Sequence, residues 1–162
     1  MSEQNKALVQ RWFEEVWNKR RAAAIDEMLS AEAIVHGLDP APAGNDRFKQ
    51  FHAAFSNGLP DLSVRIEASV AEGDLVAVRW SVLGTHRGDG LGFPATGKRA
   101  HFTGMSFFKV KGGKFIEGWN NFDQLGMLQQ VGSSHGRRRS DTGAAGNAGA
   151  AASPSVSVRC RP

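Results

Sequence analysis

The sequence is poor in the side chains that form disulfides and metal sites. Its single cysteine, Cys160, lies close to the end of the chain, so no internal disulfide and no cysteine-based metal site can form. The five histidines show neither the HxH nor the HxxxH spacing of paired metal ligands. The sequence therefore predicts no metal site.

Long apolar runs are also missing. No stretch of roughly 18 apolar residues occurs, which predicts that no helix spans a membrane. The first six residues, MSEQNK, lack the basic and apolar regions of a signal peptide. Together these absences favour a cytoplasmic protein that does not engage a membrane.

The excess of positive charge is confined to the end of the chain. The net charge is +4, and the residues after Gly132 include five arginines but only one acidic residue, Asp141. Residues 1–132 are therefore electrically balanced, which argues against nucleic acid as a partner of this part. Residues 133–162 are rich in Ala, Gly and Arg and contain no aromatic residue, so they are predicted to form a disordered tail.

Helices are predicted in the first part of the chain. Residues 4–19, 22–30 and 46–57 each place apolar side chains on one helical face. Residues 33–36 form a short extended piece between the second and third helices. The Pro- and Gly-containing segment LDPAPAG then forms a loop before the third helix.

Strands are predicted after the third helix. Apolar and polar residues alternate in four segments between Leu62 and Asp123, with turns near Gly73 and Gly112. Helices followed by an antiparallel meander are typical of an α+β domain, here over residues 1–132. We expect a curved antiparallel sheet to form a cone around about three helices, with a ligand pocket at its open mouth.

The segment GFPATGKR, between the second and third of these strands, is close to a phosphate-binding loop but lacks its essential parts. Arg99 stands where such a loop has the Ser or Thr that binds Mg²⁺, and Pro94 removes a backbone donor. The segment also leads into a strand rather than into a helix N-terminus. No cofactor is predicted.

Two titratable residues at strand ends are candidates for acid/base catalysis. Inside the cone, burial would raise the pKa of Asp123 toward values that suit proton transfer. The alternative is that Asp123 caps the next helix by accepting hydrogen bonds from the amides of Leu125 and Gly126. His36 either faces the mouth of the cone as a hydrogen-bonding group or is a buried histidine with satisfied partners.

Four further residues are candidates for substrate binding. Arg79, within the second strand, either contacts an anion or carbonyl or faces solvent. His86 follows the same strand, where it would line the rim of the pocket. Trp80 and Trp119 are either core residues or platforms for a ligand.

Five segments between residues 7 and 132 carry a resemblance to one family. They are VQRWFEEVWNKR, EAIVHG, LPDLSVRIE, AEGDLVAVRWSVLGTHRGDGLGFPATGKRAHFTGMSFFKV and GGKFIEGWNNFDQLGMLQQVG. The chain resembles the SnoaL-like polyketide cyclases, or ester cyclases, of the nuclear transport factor two-like superfamily. The resemblance implies an α+β cone that is frequently a homodimer through its sheet. For the studied cyclases it also implies a cofactor-free aldol closure of a polyketide ester, in which a single aspartate moves protons next to a carbonyl.

Carried over residue by residue, the resemblance gives Asn120 the position of the catalytic aspartate. Ser106 takes the position of an assisting histidine, and Gly118 that of another family histidine. An amide does not exchange a proton at neutral pH, so Asn120 can only orient or polarise a carbonyl, and it joins Ser106 as a further candidate for substrate binding. If Asn120 faces the interior, strand alternation places Phe122 beside it and turns Asp123 away.

Two classes of function remain open. The first is an ester-cyclase relative that performs cofactor-free aldol-type cyclisation or isomerisation on a small hydrophobic carbonyl compound. The alternative is a non-catalytic binding module, or a dimeric scaffold, of the same fold. A closed cone filled by phenylalanines, with Asp123 capping outward, would speak against the enzyme.

Overall fold

The computed structural model describes residues 1–132, and the tail predicted at 133–162 lies outside them. No helix in this described part is long and apolar enough to cross a membrane. The elements in chain order are α1 (Ser2–Trp12), a π-helical segment (Phe13–Asn18), α2 (Ala23–Met28), β1 (Leu29–His36), α3 (Asn45–Gly58), β2 (Ser63–Glu72), β3 (Leu75–Thr85), β4 (Arg99–Lys111), β5 (Lys114–Phe122) and α4 (Gln124–Val131).

The strands form one sheet in the order β1-β5-β4-β3-β2. The pairs β2–β3, β3–β4 and β4–β5 are antiparallel, which confirms the predicted meander. β1 joins the sheet as a fifth strand, parallel to β5, with Val35 opposite Gly118. The prediction of a helix over 22–30 is wrong beyond Met28, because Leu29 already pairs with Phe115.

The sheet curves around the helices, as the α+β cone prediction requires. The register shifts between Ile66 and Ala68 in β2, and again at Lys109 and Val110 where β4 pairs with β5. Such bulges bend a strand and increase its twist. The concave face of the sheet thus closes on α1 and α3, and the convex face stays open.

The core lies between this concave face and the helices. Trp12 of α1 contacts Phe48 of α3 and Phe115 of β5, with ring centroids 5.2 and 5.3 Å away. Phe115 is fully buried and also contacts Phe108 of β4, at 4.8 Å. Aromatic side chains from both layers therefore carry much of the packing.

The helix predicted over residues 4–19 changes its register after Trp12. From Phe13 the chain continues as a π-helix, and the amide of Lys19 donates to the carbonyl of Glu14 at 2.8 Å. The buried His52 of α3 donates from Nε2 to the carbonyl oxygen of Val16, at 2.7 Å. Burial lowers the pKa of His52, although this hydrogen bond acts in the opposite direction. The neutral ring thus supports a backbone stretch whose regular α-helical partners are lost.

Gly37 ends β1 at a point where two backbones nearly touch. Its φ is +88°, and a Cβ atom on it would stand 2.0 Å from the main-chain oxygen of Asn120. Only glycine fits both the left-handed conformation and this separation. Gly37 therefore sets how closely the end of β1 approaches the C-terminal part of β5.

Candidate functional site

A cavity of about 70 Å³ lies inside the cone, between the concave face of the sheet and the helices. Its lining, taken from the described residues, contains no acidic side chain, no basic side chain and no histidine. Ser106 and Asn120 supply its hydroxyl and amide groups. The lining residues are Trp12, Phe13, Trp17, Leu29, Val35, Leu38, Phe48, Phe51, Phe55, Leu62, Val64, Trp80, Val82, Phe102, Ser106, Phe108, Phe115, Gly118, Asn120 and Phe122.

A short chain of hydrogen bonds crosses the sheet at this cavity. The indole Nε1 of Trp80 on β3 donates to Oγ of Ser106 on β4, at 2.9 Å. That hydroxyl donates to Oδ1 of Asn120 on β5, at 2.7 Å. Ser106 and Asn120 are direct partners in the antiparallel ladder, so their side chains leave the same face of the sheet side by side. The three strands thus place the three candidate residues together.

Gly104 makes room for the first member of this chain. It is the ladder partner of Trp80, and a Cβ atom on it would stand 2.3 Å from Cζ2 of that indole. With no side chain at this position, the Trp80 ring can lie flat across β4 and point Nε1 at Ser106. The close approach of glycine and indole is what aligns the donor.

Asp123 lies outside the cavity. Its carboxylate caps α4, where Oδ1 accepts a hydrogen bond from the amide of Gly126 at 2.8 Å, and the side chain is exposed. The capping interpretation is thereby confirmed for Gly126. Alternation along β5 also behaves as predicted, since Gly118, Asn120 and Phe122 line the cavity while Asp123 does not.

Replacing Asp123 by alanine is expected to lower the free energy of unfolding by about 1 kcal/mol, because α4 loses the acceptor for one of its free amides. Asparagine is an equally good cap, so Asp123→Asn should lose only a few tenths of this amount. Urea denaturation of the two variants measures the difference. Equal losses in both would show that the charge of Asp123, rather than its capping oxygen, stabilises the helix.

His36 is on the convex face and not at the mouth of the cavity, contrary to one of the two expectations for it. Its ring stacks on that of Trp119, with centroids 5.2 Å apart and planes 3° from parallel. Its Nε2 lies 2.9 Å from Oε1 of Glu117. The expectation that it is a fully buried histidine also fails, because about 30% of its side chain is exposed.

His86 does not line a rim. It is fully buried, with Nδ1 within 3.1 Å of the Thr96 hydroxyl and within 3.3 Å of the Thr96 amide. Its ring packs against Phe93 of the β3–β4 connection, with centroids 4.7 Å apart. That connection folds back over His86, a path that the sequence of β3 alone does not indicate.

A shallow groove on the convex face collects two other candidates. Arg79 is exposed and lines this groove with Met105, Phe107, Trp119 and Asp123. Solvent exposure was one of the two interpretations of Arg79, and it is the one the structure bears out. Trp119 faces away from the cavity, whereas Trp80 is buried and lines it. Within residues 1–132, no three or more His, Cys, Asp or Glu side chains gather in a way that could hold a metal ion.

Sequence reasoning missed the helical half of the cavity. Trp17 of the π-helical segment contacts Phe51 and Phe55 of α3 at 6.2 and 6.5 Å, and all three rings line the cavity. The phenylalanine spacing of α3 marked its inward face, but this face was assigned to the core alone. These three rings are only partly buried, unlike Trp12 and Phe115 elsewhere in the wall.

The family model of SnoaL-like polyketide cyclases matches residues 7–131. The chain belongs to this family. No curated protein matches the sequence significantly. Within this SnoaL-like chain, the residue that the resemblance aligned with the catalytic aspartate, Asn120, does face the cavity.

Solved structures agree with the assignment of the fold. A protein from Jannaschia sp. CCS1, provisionally named a SnoaL-like polyketide cyclase, superposes with a TM-score of 0.75 at 24% identity, over 82% of this chain and 94% of the other. AclR from Streptomyces galilaeus, provisionally named a hydroxylase, superposes with a TM-score of 0.75 at 23% sequence identity, over 82% of this chain and 98% of the other. TsrD from Streptomyces laurentii superposes with a TM-score of 0.70 at 26% sequence identity, over 80% of this chain and 96% of the other. The two differing activity names show that this fold does not by itself fix a reaction.

Proposed function

We propose that this SnoaL-like protein binds a compact hydrophobic carbonyl compound in its cavity, with the amide of Asn120 donating a hydrogen bond to the carbonyl oxygen. One observation carries the proposal. Asn120 Oδ1 is engaged by Ser106, but among residues 1–132 no hydrogen bond uses its Nδ2. A carbonyl oxygen would satisfy this donor, and the apolar wall would cover the remainder of the ligand.

Binding without proton transfer is the function that the lining favours. The described lining holds no group that titrates near neutral pH, and Asp123 and His36 both lie outside it. The cavity is walled by eight phenylalanines, and Asp123 caps outward. The outward cap speaks against an enzyme, although the phenylalanines border a cavity and do not fill the cone. Because the lining also holds no acid or base, the binding module becomes the first candidate.

Ester-cyclase chemistry remains the second candidate because of one specific position. Asn120 occupies the place of the catalytic aspartate in the resemblance, and Ser106 already donates a hydrogen bond to it. An amide that donates to a carbonyl polarises it and makes the neighbouring C–H more acidic. Aldol-type cyclisation or isomerisation without a cofactor would then need a base that the described lining does not supply.

Replacing Asn120 by aspartate is expected to create or raise turnover by roughly 10²-fold or more on a panel of polyketide methyl esters and small enones. The new carboxylate would accept the Ser106 hydrogen bond, and the apolar cavity would raise its pKa toward that of a general base. Product formation measured by chromatography is the readout. Asn120→Leu is the matched control, because leucine has a similar volume and no polar group. This variant should bind the carbonyl compounds weakly and should not convert them.

The outcomes separate the two candidates. Wild-type turnover that Asn120→Leu abolishes would establish the enzyme and set aside the binding module. Binding by the wild type without turnover, together with activity in Asn120→Asp, supports the binding module. A wild type that binds no carbonyl compound of the panel contradicts both.

The convex face is proposed as the contact between two copies of the chain. Met105 is 57% exposed on this face, and Phe107 is 50% exposed. The groove beside them carries both Arg79 and Asp123, so two copies related by a two-fold axis can pair opposite charges. We expect a dimer mass by light scattering for the wild type, and a monomer for Phe107→Glu. The control Val70→Glu, an exposed site outside the groove, should remain dimeric. A monomeric wild type would contradict this part of the proposal.

A further inference from the structure

The hydrogen-bond chain at the cavity has a fixed direction. Trp80 Nε1–H can only donate, so the Ser106 oxygen must accept from it. A hydroxyl has one proton, and the Ser106 proton is directed at Oδ1 of Asn120. Ser106 is only 2% exposed, so bulk solvent reaches little of its hydroxyl. The hydroxyl proton therefore points away from the indole and toward the amide of Asn120.

This direction also fixes the amide of Asn120. Turning the amide over would place its NH₂ group against Ser106 and leave the hydroxyl proton without an acceptor at a buried site. A buried donor without a partner is strongly unfavourable. Asn120 consequently keeps Oδ1 on Ser106 and leaves Nδ2, a donor, free for the cavity. An asparagine on a surface would have no such preference.

We infer that Ser106 is a positioning residue that makes the cavity select ligands that accept hydrogen bonds over ligands that donate them. The inference rests on the proposed function and narrows its ligand class. Compact ketones, aldehydes and esters without N–H or O–H groups match the Asn120 donor. A ligand that offers only an N–H group places donor against donor, and a pure hydrocarbon leaves Nδ2 without a partner.

Three small probes, each built on a five-membered ring, test this selectivity. Cyclopentanone only accepts hydrogen bonds, pyrrole has an N–H donor, and cyclopentane has neither, while all three are five-membered rings suited to a small cavity. Dissociation constants are measured by NMR titration of the full-length protein, with the side-chain amide signals of Asn120 as the local reporter. The wild type is expected to prefer cyclopentanone over pyrrole by about tenfold or more.

Ser106→Ala is the decisive variant. Without the hydroxyl, Oδ1 of Asn120 loses the donor that holds it in place, so the preference should fall to within about threefold. A merely structural role of Ser106 would weaken all three probes and leave their ratio unchanged. Ser106→Thr restores the hydroxyl and should restore the preference. Val82→Ala, a cavity-wall change that leaves the hydrogen-bond chain intact, should alter all three affinities and keep the ratio.

Each result decides between the inference and the proposed function. Loss of the preference in Ser106→Ala, retained in Val82→Ala and recovered in Ser106→Thr, supports the positioning role. Similar binding of all three probes by the wild type overturns the inference but leaves the cavity a binding site. A preference that survives in Ser106→Ala also overturns it. If no probe binds the wild type, the proposed function and the inference fall together.

Discussion

Alanine at position 37 is expected to lower the free energy of unfolding by about 3 kcal/mol or more, which is a large effect for a single methyl group. Two costs combine. The backbone at Gly37 has a φ of +88°, which an L-residue with a Cβ atom adopts only with strain. The added Cβ would also stand 2.0 Å from the main-chain oxygen of Asn120, so β1 and β5 must separate.

Gly73→Ala provides the matched control for this experiment. Gly73 also has a positive φ, of +58°, but nothing lies within 4 Å of where its Cβ would stand. Its substitution should lower the free energy of unfolding by about 1–2 kcal/mol, because the backbone is strained but no atoms clash. Guanidinium denaturation of both variants gives the comparison. If the two lose the same stability, the close approach at Asn120 contributes nothing and the clash argument is wrong.

The Gly37 variant should affect ligand binding as well as stability. The oxygen that the new Cβ meets belongs to the backbone of Asn120 itself, so any separation of β1 from β5 moves the amide. Gly73 lies in the β2–β3 turn and is not among the residues that line the cavity. We expect weaker carbonyl binding for the first variant and unchanged binding for the second.

Phe115→Ala is expected to destabilise the protein by about 3–5 kcal/mol. Phe115 is fully buried, contacts Trp12 and Phe108, and forms part of the cavity wall. Truncation removes its transfer free energy and leaves a larger void that the aromatic neighbours cannot fill by relaxation. Chemical denaturation monitored by circular dichroism measures the loss.

The control for this change is Val70→Ala on β2. Val70 is 67% exposed and lies outside the groove proposed as the contact between two copies, so its truncation should cost about 1 kcal/mol or less. A second readout links the core to the cavity: an apolar ring compound should raise the melting temperature of Phe115→Ala more than that of the wild type, because the larger void binds it better. Equal losses for Phe115→Ala and Val70→Ala would contradict the assignment of Phe115 to the buried core.

The sequence predicted the parts of this fold that depend on local periodicity. With Asn120 taken to face the interior, as the resemblance implies, alternation in the last strand was enough to place Phe122 beside it and to turn Asp123 away, and the structure agrees. The antiparallel meander follows from the same period and from glycine turns. These features need no information from distant residues, so one sequence suffices for them.

The sequence-based predictions were wrong or incomplete where contacts between distant residues determine the structure. β1 pairs in parallel with a strand that lies some eighty residues later in the chain, and its first residues continue the apolar pattern of α2. His86 is buried by a loop that follows it rather than by its own strand. The change to π-helical register after Trp12 accompanies a hydrogen bond from His52 of another helix. None of these partners can be inferred from local patterns.

The distribution of the indoles gives the protein a built-in optical reporter. Three of its four tryptophans, Trp12, Trp17 and Trp80, line the cavity, and the sequence contains no tyrosine. Near-ultraviolet emission therefore arises largely from the wall that a ligand would touch. The fourth, Trp119, is stacked on His36 at the convex face, so its fluorescence reports on that face and not on the cavity. A Trp119→Phe variant would thus fluoresce from the cavity wall alone, and filling of the cavity could be followed without any attached dye.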